Sequence, residues 1–378
     1  MFSRGYRGTE ARPSLLGFGC MRLPRLRDDS QEIDYKEAGR LIDYAYANGV
    51  NYYDTAYMYH DGRSEAFIGQ ALRKYPRDSY FLADKMPVWR MQEQAQVDRI
   101  FREQLDRCGV GYFDFYLCHG INEQNLEKFR RFHVFEYLEH QKAMGRIRRL
   151  GFSFHDTPKV LEEVLRLRAW DFAQIQLNYI DWEAQDARGQ YTLLAQRGIP
   201  VIVMEPVRGG ALASLCPDAA ALLRHAAPGR SLASWAVRFA ASQPGVMTVL
   251  SGMSDEAQVR DNVETFLRFE PLSAGEQETL DRAAALYKQY LTVPCTGCRY
   301  CMDCPAGVDI PLMFQLYNAY MLSRREAPYL KQYLDLPEKK RASGCVACGR
   351  CAARCPQHIP IPDRMREICK CVEKIQAG

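Results

Sequence analysis

Tyr52-Tyr53-Asp54-Thr55-Ala56-Tyr57-Met58-Tyr59 decides how this chain is read: a β-rich run stops at an acid and then delivers a tyrosine. The run follows a helical pattern that stops at Gly49, so Asp54 falls where a βα unit puts its loop, the usual position of catalytic groups in α/β folds. Two later strand-like runs end the same way, YFLADK at Lys85 and FDFYLCH at His119. Acid, tyrosine, lysine and histidine therefore all leave strand ends, and a closed barrel would gather them.

The surrounding sequence supports βα repetition. Asp34 with Glu37 reads as a helix cap, and Leu41, Ile42 and Ala45 form the apolar face that follows. Val97, Ile100, Phe101 and Leu105 line a helix before the strand Tyr112 to Cys118, and Pro158 opens another helix after Gly151 to Phe154. Later strands are expected at Phe172 to Leu177, Ile199 to Met204 and Val246 to Leu250. Alternating helices and strands up to about residue 270 are the signature of a parallel sheet.

The chain has 378 residues. That exceeds the roughly 250 of a single eightfold barrel and leaves room for a second, smaller domain. A 47% hydrophobic content is enough for a sizeable core, and a dispersed net charge of +4 argues against a nucleic-acid partner. The opening MFSRGYRGTEARPS lacks the apolar core of a signal peptide, and no run approaches membrane-spanning length, so a cytoplasmic protein with no membrane association is expected.

Of 14 cysteines, Cys20, Cys108, Cys118 and Cys216 are scattered through the barrel region and read as buried, inert thiols. Eight others form two tight runs. Cys295, Cys298, Cys301 and Cys304 precede Pro305, and Cys345, Cys348, Cys351 and Cys355 precede Pro356. The second run has the C-x2-C-x2-C-x3-C-P spacing of bacterial 4Fe-4S ligands, whereas the first keeps only two residues between its last pair. Two four-cysteine zinc sites are the competing reading, although zinc ribbons usually pair two C-x2-C units. Cys369 and Cys371 lie outside both runs and receive no role. A helix is expected from Pro311 to Leu322 between the runs.

The order and spacing of Asp54, Tyr59, Lys85 and His119 resemble the catalytic tetrad of the aldo/keto reductase family. GFGCMRLP at Gly17, DTAYMYHDGRSE at Asp54, GFSFHD at Gly151, QIQLNY at Gln174 and VMEPVRGG at Val203 extend the resemblance from about Leu15 to Leu267. It implies an α/β fold, a (β/α)8 TIM barrel with a hairpin ahead of Gly17, followed by a small, mostly helical ferredoxin-like iron-sulfur domain. The expected division is a barrel over 1–272, a connecting helix over 273–291 and a 4Fe-4S domain over 292–378. Tyr59 would be the general acid, Lys85 the group lowering its phenol pKa from about 10, Asp54 the residue holding Lys85, and His119 a hydrogen-bond partner of the substrate carbonyl.

The same resemblance gives nicotinamide-nucleotide contacts to Ser153, Gln176, Glu205, Arg208, Gly209, Gly210, Gly252, Ser254, Gln258 and Asn262. The chain departs from the family pattern at Phe154, where many members have asparagine, and at Met204, where an aromatic ring stacks on nicotinamide. Around Ser251 to Asn262 the usual cations for a 2′-phosphate are replaced by Gly252, Met253, Ser254 and Gln258, and Arg260 points away from the Gln258 and Asn262 face. Weak discrimination between NADPH and NADH follows. By resemblance to dicluster ferredoxin modules, Cys295, Cys298, Cys301 and Cys355 would hold one cluster, and Cys345, Cys348, Cys351 and Cys304 the other.

The expected function is reduction of a small carbonyl substrate by an enzyme fused to a two-cluster electron-transfer domain. Hydride carries two electrons and each cluster one, so coupling them would call for a flavin, a radical step or a redox partner protein. The alternative is an electron-transfer or redox-sensing protein whose barrel docks a partner, with Glu205 and Arg208 serving the interface. Anaerobically purified protein should be brown and carry about eight iron atoms per chain; stoichiometric zinc without visible absorption would contradict the cluster reading.

Overall fold

In the computed structural model, residues 1–5, 11–27, 30–290 and 292–377 are described. The chain forms two compact units, one of residues 1–206 with 234–273, the other of 207–233 with the chain from Ala274 onward.

The first unit is built on a closed, wholly parallel eight-stranded barrel in which each strand pairs with its sequence neighbours and the last pairs with the first. The strands are β1 (Leu16–Gly19), β2 (Tyr52–Asp54), β3 (Phe81–Met86), β4 (Phe113–Ile121), β5 (Ile147–Phe154), β6 (Phe172–Gln176), β7 (Val201–Met204) and β8 (Val246–Ser251). The intervening helices carry the faces expected of them. In the helix Tyr35–Ala47 the Asp34 carboxylate accepts the Glu37 backbone N–H, and Ala38, Leu41, Ile42 and Ala45 are buried. The helices Ala95–Cys108 and Pro158–Leu167 likewise stand where the apolar spacing puts them. Ahead of β1, Ser3 pairs antiparallel with Ser14, while residues 6–10 of the expected hairpin lie outside the described residues.

Side chains alternate across each strand, so the barrel is filled in layers. One layer is apolar and partly aromatic: Tyr52, Ala83, Phe115, Phe172, Ile202 and Met247 pack together, with Phe115 edge-on to both Tyr52 and Phe172. Residues further along the same inward rows are polar: Asp54 two beyond Tyr52, Lys85 two beyond Ala83, and His119 two beyond Leu117. The apolar layer is the floor on which these polar groups stand.

The second unit is helical. Helix Pro217–Ala226 packs against helix Ala274–Lys288, which draws the segment after β7 into this unit. Helices Ile310–Ser323, Glu326–Leu334 and Ile361–Gln376 close on a small core of Val308, Met313, Phe314, Tyr329, Tyr333, Met365 and Ile368. The expected helix between the cysteine runs is the first of these three, and the other two had no expectation attached. Among the described residues no helix is long and apolar enough to cross a membrane.

Gly151 is a tight point of the barrel sheet. A Cβ there would sit 2.5 Å from the Phe172 carbonyl oxygen and 2.7 Å from its ring, across the β5–β6 pairing. Gly151→Ala should therefore destabilise the barrel by about 1–3 kcal/mol, read as a lower thermal unfolding midpoint of the first unit; an unchanged midpoint would show that the pairing has room to spare.

Candidate active site

Three strand ends and one turn deliver the central groups. Asp54 closes β2, Lys85 lies in β3 and His119 in β4, while Tyr59 opens the short turn Tyr59–Gly62, where His60 and Asp61 adopt φ of 52° and 53°. That turn is pinned by His60, whose Nε2 accepts the Leu23 backbone N–H at 3.2 Å.

Lys85 is the hub. Its ammonium donates to Asp54 Oδ1 at 2.5 Å and to the Thr55 carbonyl at 2.7 Å, and stands 3.5 Å from the Tyr59 hydroxyl. It also lies 5.0 Å from the centroid of the Tyr59 ring. Lys85 is fully buried and Asp54 is 2% exposed, so each charge depends on the other for solvation. Burial raises the Asp54 carboxyl above its ordinary value, and Lys85 offsets only part of that rise. Its Oδ2 is buried with no hydrogen-bond partner among the described residues. The His119 ring is edge-on to Tyr59 at 6.3 Å and lies 4.6 Å from the Trp89 ring.

The expectation that Lys85 lowers the Tyr59 pKa is corrected here. Burial, and after it the negative charge of Asp54, holds the phenol well above its usual value. Lys85 gives its closest contact to Asp54, which offsets its charge, and Tyr59 keeps its proton. His119 moves the other way: burial first, then the Lys85 ammonium, holds it well below the ordinary imidazole range. It is neutral at physiological pH and able to donate a hydrogen bond from one ring nitrogen.

Behind Lys85, on the helix side of β3, lies a network that the sequence reading missed. Asp84 and Glu65 are both fully buried. Burial, then Glu65, pushes the Asp84 carboxyl well up. Asp84 Oδ1 accepts the Lys85 backbone N–H at 2.8 Å, and Gln104 donates to the Lys85 carbonyl at 3.0 Å and to Glu65 at 3.1 Å. Arg107 reaches Glu65 at 2.9 Å, and the Tyr116 hydroxyl donates to Gln104. Both faces of the Lys85 peptide are thus clamped. The only sequence signal was a pair of acids inside apolar runs, and their partners come from distant helices.

The expected nucleotide contacts divide between the units. In the first, Ser153 accepts the Gly120 N–H at 2.7 Å, leaving its own O–H to donate, and Gln176 donates to Asp181 at 2.7 Å. Glu205 sits at φ 55° and 3.7 Å from Arg22, whose stem lies 3.1 Å from where a Gly252 Cβ would stand. Arg22 and Gln174, the latter buried with its Oε1 unpartnered among the described residues, join this set although the sequence reading did not single them out. Ser254 and Gln258 cap the helix Glu256–Leu267 together with Asp255, and Asn262 donates to Ser251 while its buried Oδ1 has no partner among the described residues. Arg260 is held by Glu256 at 2.6 Å and packs over Tyr44. Orphaned buried polar atoms and a glycine held close to an arginine fit a bound polar cofactor. Arg208, Gly209 and Gly210 belong to the second unit, where all three have positive φ.

In the tail, Cys295, Cys298, Cys301 and Cys355 line one cavity together with Thr296, Arg299, Phe314 and Gln357. Burial and these neighbouring thiols hold the Cys301 thiol up, while Cys351 is raised by burial and by Cys345 and Cys304. Crowded thiols of this kind ionise together only with a cationic metal centre among them, so the donor set fits a thiolate-bound metal group such as an iron-sulfur cluster. Among the described residues no three His, Cys, Asp or Glu groups converge on a position for a single ion. Cys348 is exposed, and Cys369 and Cys371 pack against the tail core. The four barrel cysteines are buried, with Cys118 pushed up to about 12 by burial.

A family model for aldo/keto reductases matches residues 15–285, and one for a 4Fe-4S dicluster domain matches residues 294–359. The chain is 24% identical over 303 residues to the L-galactose dehydrogenase of Arabidopsis thaliana, covering 75% of this chain and 93% of that one. The holo form of an aldo-keto reductase from Bacillus halodurans superposes with a TM-score of 0.62 at 27% identity, over 75% of this chain and 96% of that chain. An aldo-keto reductase from Klebsiella pneumoniae, in complex with NADPH, shares the fold at a TM-score of 0.61 and 24% identity, over 76% and 96% of the two chains. The chain belongs to the aldo/keto reductase family. It is an oxidoreductase of that family joined to a 4Fe-4S dicluster domain.

The depressed His119 pKa has a readable consequence. Unfolded, the imidazole titrates near 6.5; folded, it resists protonation. Stability tied to His119 is complete above about pH 6.5 and is lost as pH falls below it, because the unfolded chain then binds the extra proton. Proton NMR of the histidine ring, assigned with His119→Gln, should find it neutral at pH 6, and the variant should show a shallower loss of stability in acid. A ring titrating near 6.5 would contradict the buried, cation-facing environment.

Proposed function

We propose that the barrel reduces a small carbonyl compound with Tyr59 as the proton donor. The observation that carries this reading is the Lys85 ammonium, bound to Asp54 at 2.5 Å and standing 3.5 Å from the Tyr59 hydroxyl at the end of a closed barrel. A reduced nicotinamide nucleotide, when bound, supplies the hydride. Tyr59 gives its O–H proton to the oxygen that becomes alkoxide, a stronger base than phenolate, and Lys85 stabilises the phenolate left behind. Asp54 keeps Lys85 charged and in place. Neutral His119 donates a hydrogen bond to the same oxygen, and Trp89 beside it walls the substrate side. Retention of the Tyr59 proton in the resting site suits this role, because the acid stays loaded until the carbonyl draws the proton away.

Ser153, Gln176, Glu205, Gly252, Ser254, Gln258 and Asn262 would hold the nucleotide. Within the second unit, Arg208, Gly209 and Gly210 would offer backbone and charge to a pyrophosphate. Engagement of Arg260 by Glu256 supports weak discrimination between NADPH and NADH. Cys295, Cys298, Cys301 and Cys355 would carry one cluster and Cys345, Cys348, Cys351 and Cys304 the other. Clusters take up and release single electrons, which makes a redox partner protein a natural associate, and a cytoplasmic setting would keep their thiolates reduced.

Tyr59→Phe keeps the ring and removes the proton. It should lower carbonyl reduction by about 10²- to 10⁴-fold while nucleotide affinity, followed by titration calorimetry, is retained. Near-normal turnover in the variant would reassign the acid.

A further inference from the structure

The segment that follows β7 makes a close backbone approach to the first cysteine run within the second unit. Arg208, Gly209 and Gly210 carry successive φ values of 50°, 67° and 96°, a left-handed run that an arginine rarely enters. A Cβ on Gly209 would fall inside the van der Waals sphere of the Thr296 carbonyl oxygen, 2.7 Å from the Thr296 carbonyl carbon and 3.1 Å from its Cα. Thr296 is buried. It lies between Cys295 and Cys298 in sequence and lines the same cavity as Cys295, Cys298, Cys301 and Cys355. Backbone therefore touches backbone between the Arg208–Gly210 segment and the cysteine loop itself. The helix Pro217–Ala226, packed on Ala274–Lys288, keeps the rest of the segment in the same unit.

We propose that the Gly209–Thr296 contact couples nucleotide binding to the cluster held by Cys295, Cys298, Cys301 and Cys355. This rests on the reading of Arg208, Gly209 and Gly210 as pyrophosphate contacts. A peptide wedged against the cysteine loop has no slack: a shift of Thr296 on reduction moves Gly209, and a ligand that fixes Gly209 restrains Thr296. Coupling of this kind is reciprocal, so the cluster potential and the nucleotide affinity change together. Its sign follows from charge. Reduction adds a negative charge to the cluster, and a pyrophosphate on the adjoining segment opposes it, so nucleotide binding favours the oxidised cluster. The domain fusion then has a function that needs no electron to pass directly between cluster and nicotinamide.

The test uses anaerobically purified holoprotein and ADP-ribose with its 2′-phosphate form, which carry the pyrophosphate without a redox-active ring. Calorimetry measures their binding to oxidised and dithionite-reduced protein. Potentiometric titration followed by electron paramagnetic resonance reads the cluster, identified by the signal altered in Cys301→Ser. Affinity should be roughly tenfold weaker for the reduced protein, within the usual 5- to 150-fold range of coupling, and the potential should fall on binding by about 59 mV for that factor. Gly209→Ala should perturb both binding and the cluster signal. Gly210→Ala, with an open position around its added Cβ, strains the same backbone and should leave the cluster signal as in the parent. Binding without any fall in potential, or a cluster signal unmoved by Gly209→Ala, overturns the coupling alone. Failure of both compounds to bind oxidised protein overturns the pyrophosphate reading and the coupling with it.

Discussion

A lysine ammonium fully buried in the first unit has to be neutralised inside the protein, and Asp54 does so at 2.5 Å. Removing one partner of such a pair typically costs about 3–5 kcal/mol, because the other charge is left without solvent. Much of the site follows from this constraint. The floor of Tyr52, Phe115 and Phe172 keeps water away from the pair, and the Asp84–Gln104–Glu65 network fixes the Lys85 backbone from the opposite side of the sheet. Tyr59 and His119 then take opposite protonation tendencies from one environment: desolvation keeps the phenol protonated and the imidazole neutral. Both are left as hydrogen donors in the resting site.

The two halves of the chain work in different electron counts. The barrel's residues suit a two-electron change with one proton, whereas clusters change by one electron each. The segment 207–233 leaves the barrel after β7 and folds with the iron-sulfur unit, so the second unit owns part of the expected nucleotide machinery. The proposed conformational link through that segment would reconcile the two electron counts by letting nucleotide binding and the cluster's redox state set one another, with no obligatory electron path.

Much of this was legible in the sequence because barrel strands alternate with period two. Tyr52 and Asp54, Ala83 and Lys85, and Leu117 and His119 declare an apolar layer with a polar layer beyond it. The Asp34 cap and the helix Pro158–Leu167 were readable from local chemistry alone. What the sequence concealed depends on distance in the chain. Glu65 and Asp84 look like surface acids until Gln104 and Arg107 are brought to them. The direction of the Tyr59 shift was misjudged because one nearby cation was weighed without the burial and the Asp54 charge that outweigh it. Membership of 207–233 in the second unit was hidden for the same reason: nothing in that segment names helix Ala274–Lys288 as its partner.

The central claim is that hydrogen reaches the carbonyl carbon as hydride within the barrel, with Tyr59 supplying only the proton. Incubating the holoprotein anaerobically with an aldehyde and nucleotide deuterated at the transferring C4 position, in ordinary water, tests it by mass spectrometry of the alcohol. The account predicts one deuterium on the former carbonyl carbon in every product molecule. Alcohol carrying solvent hydrogen at that carbon would contradict it, because the hydrogen would then not have passed directly from the nucleotide.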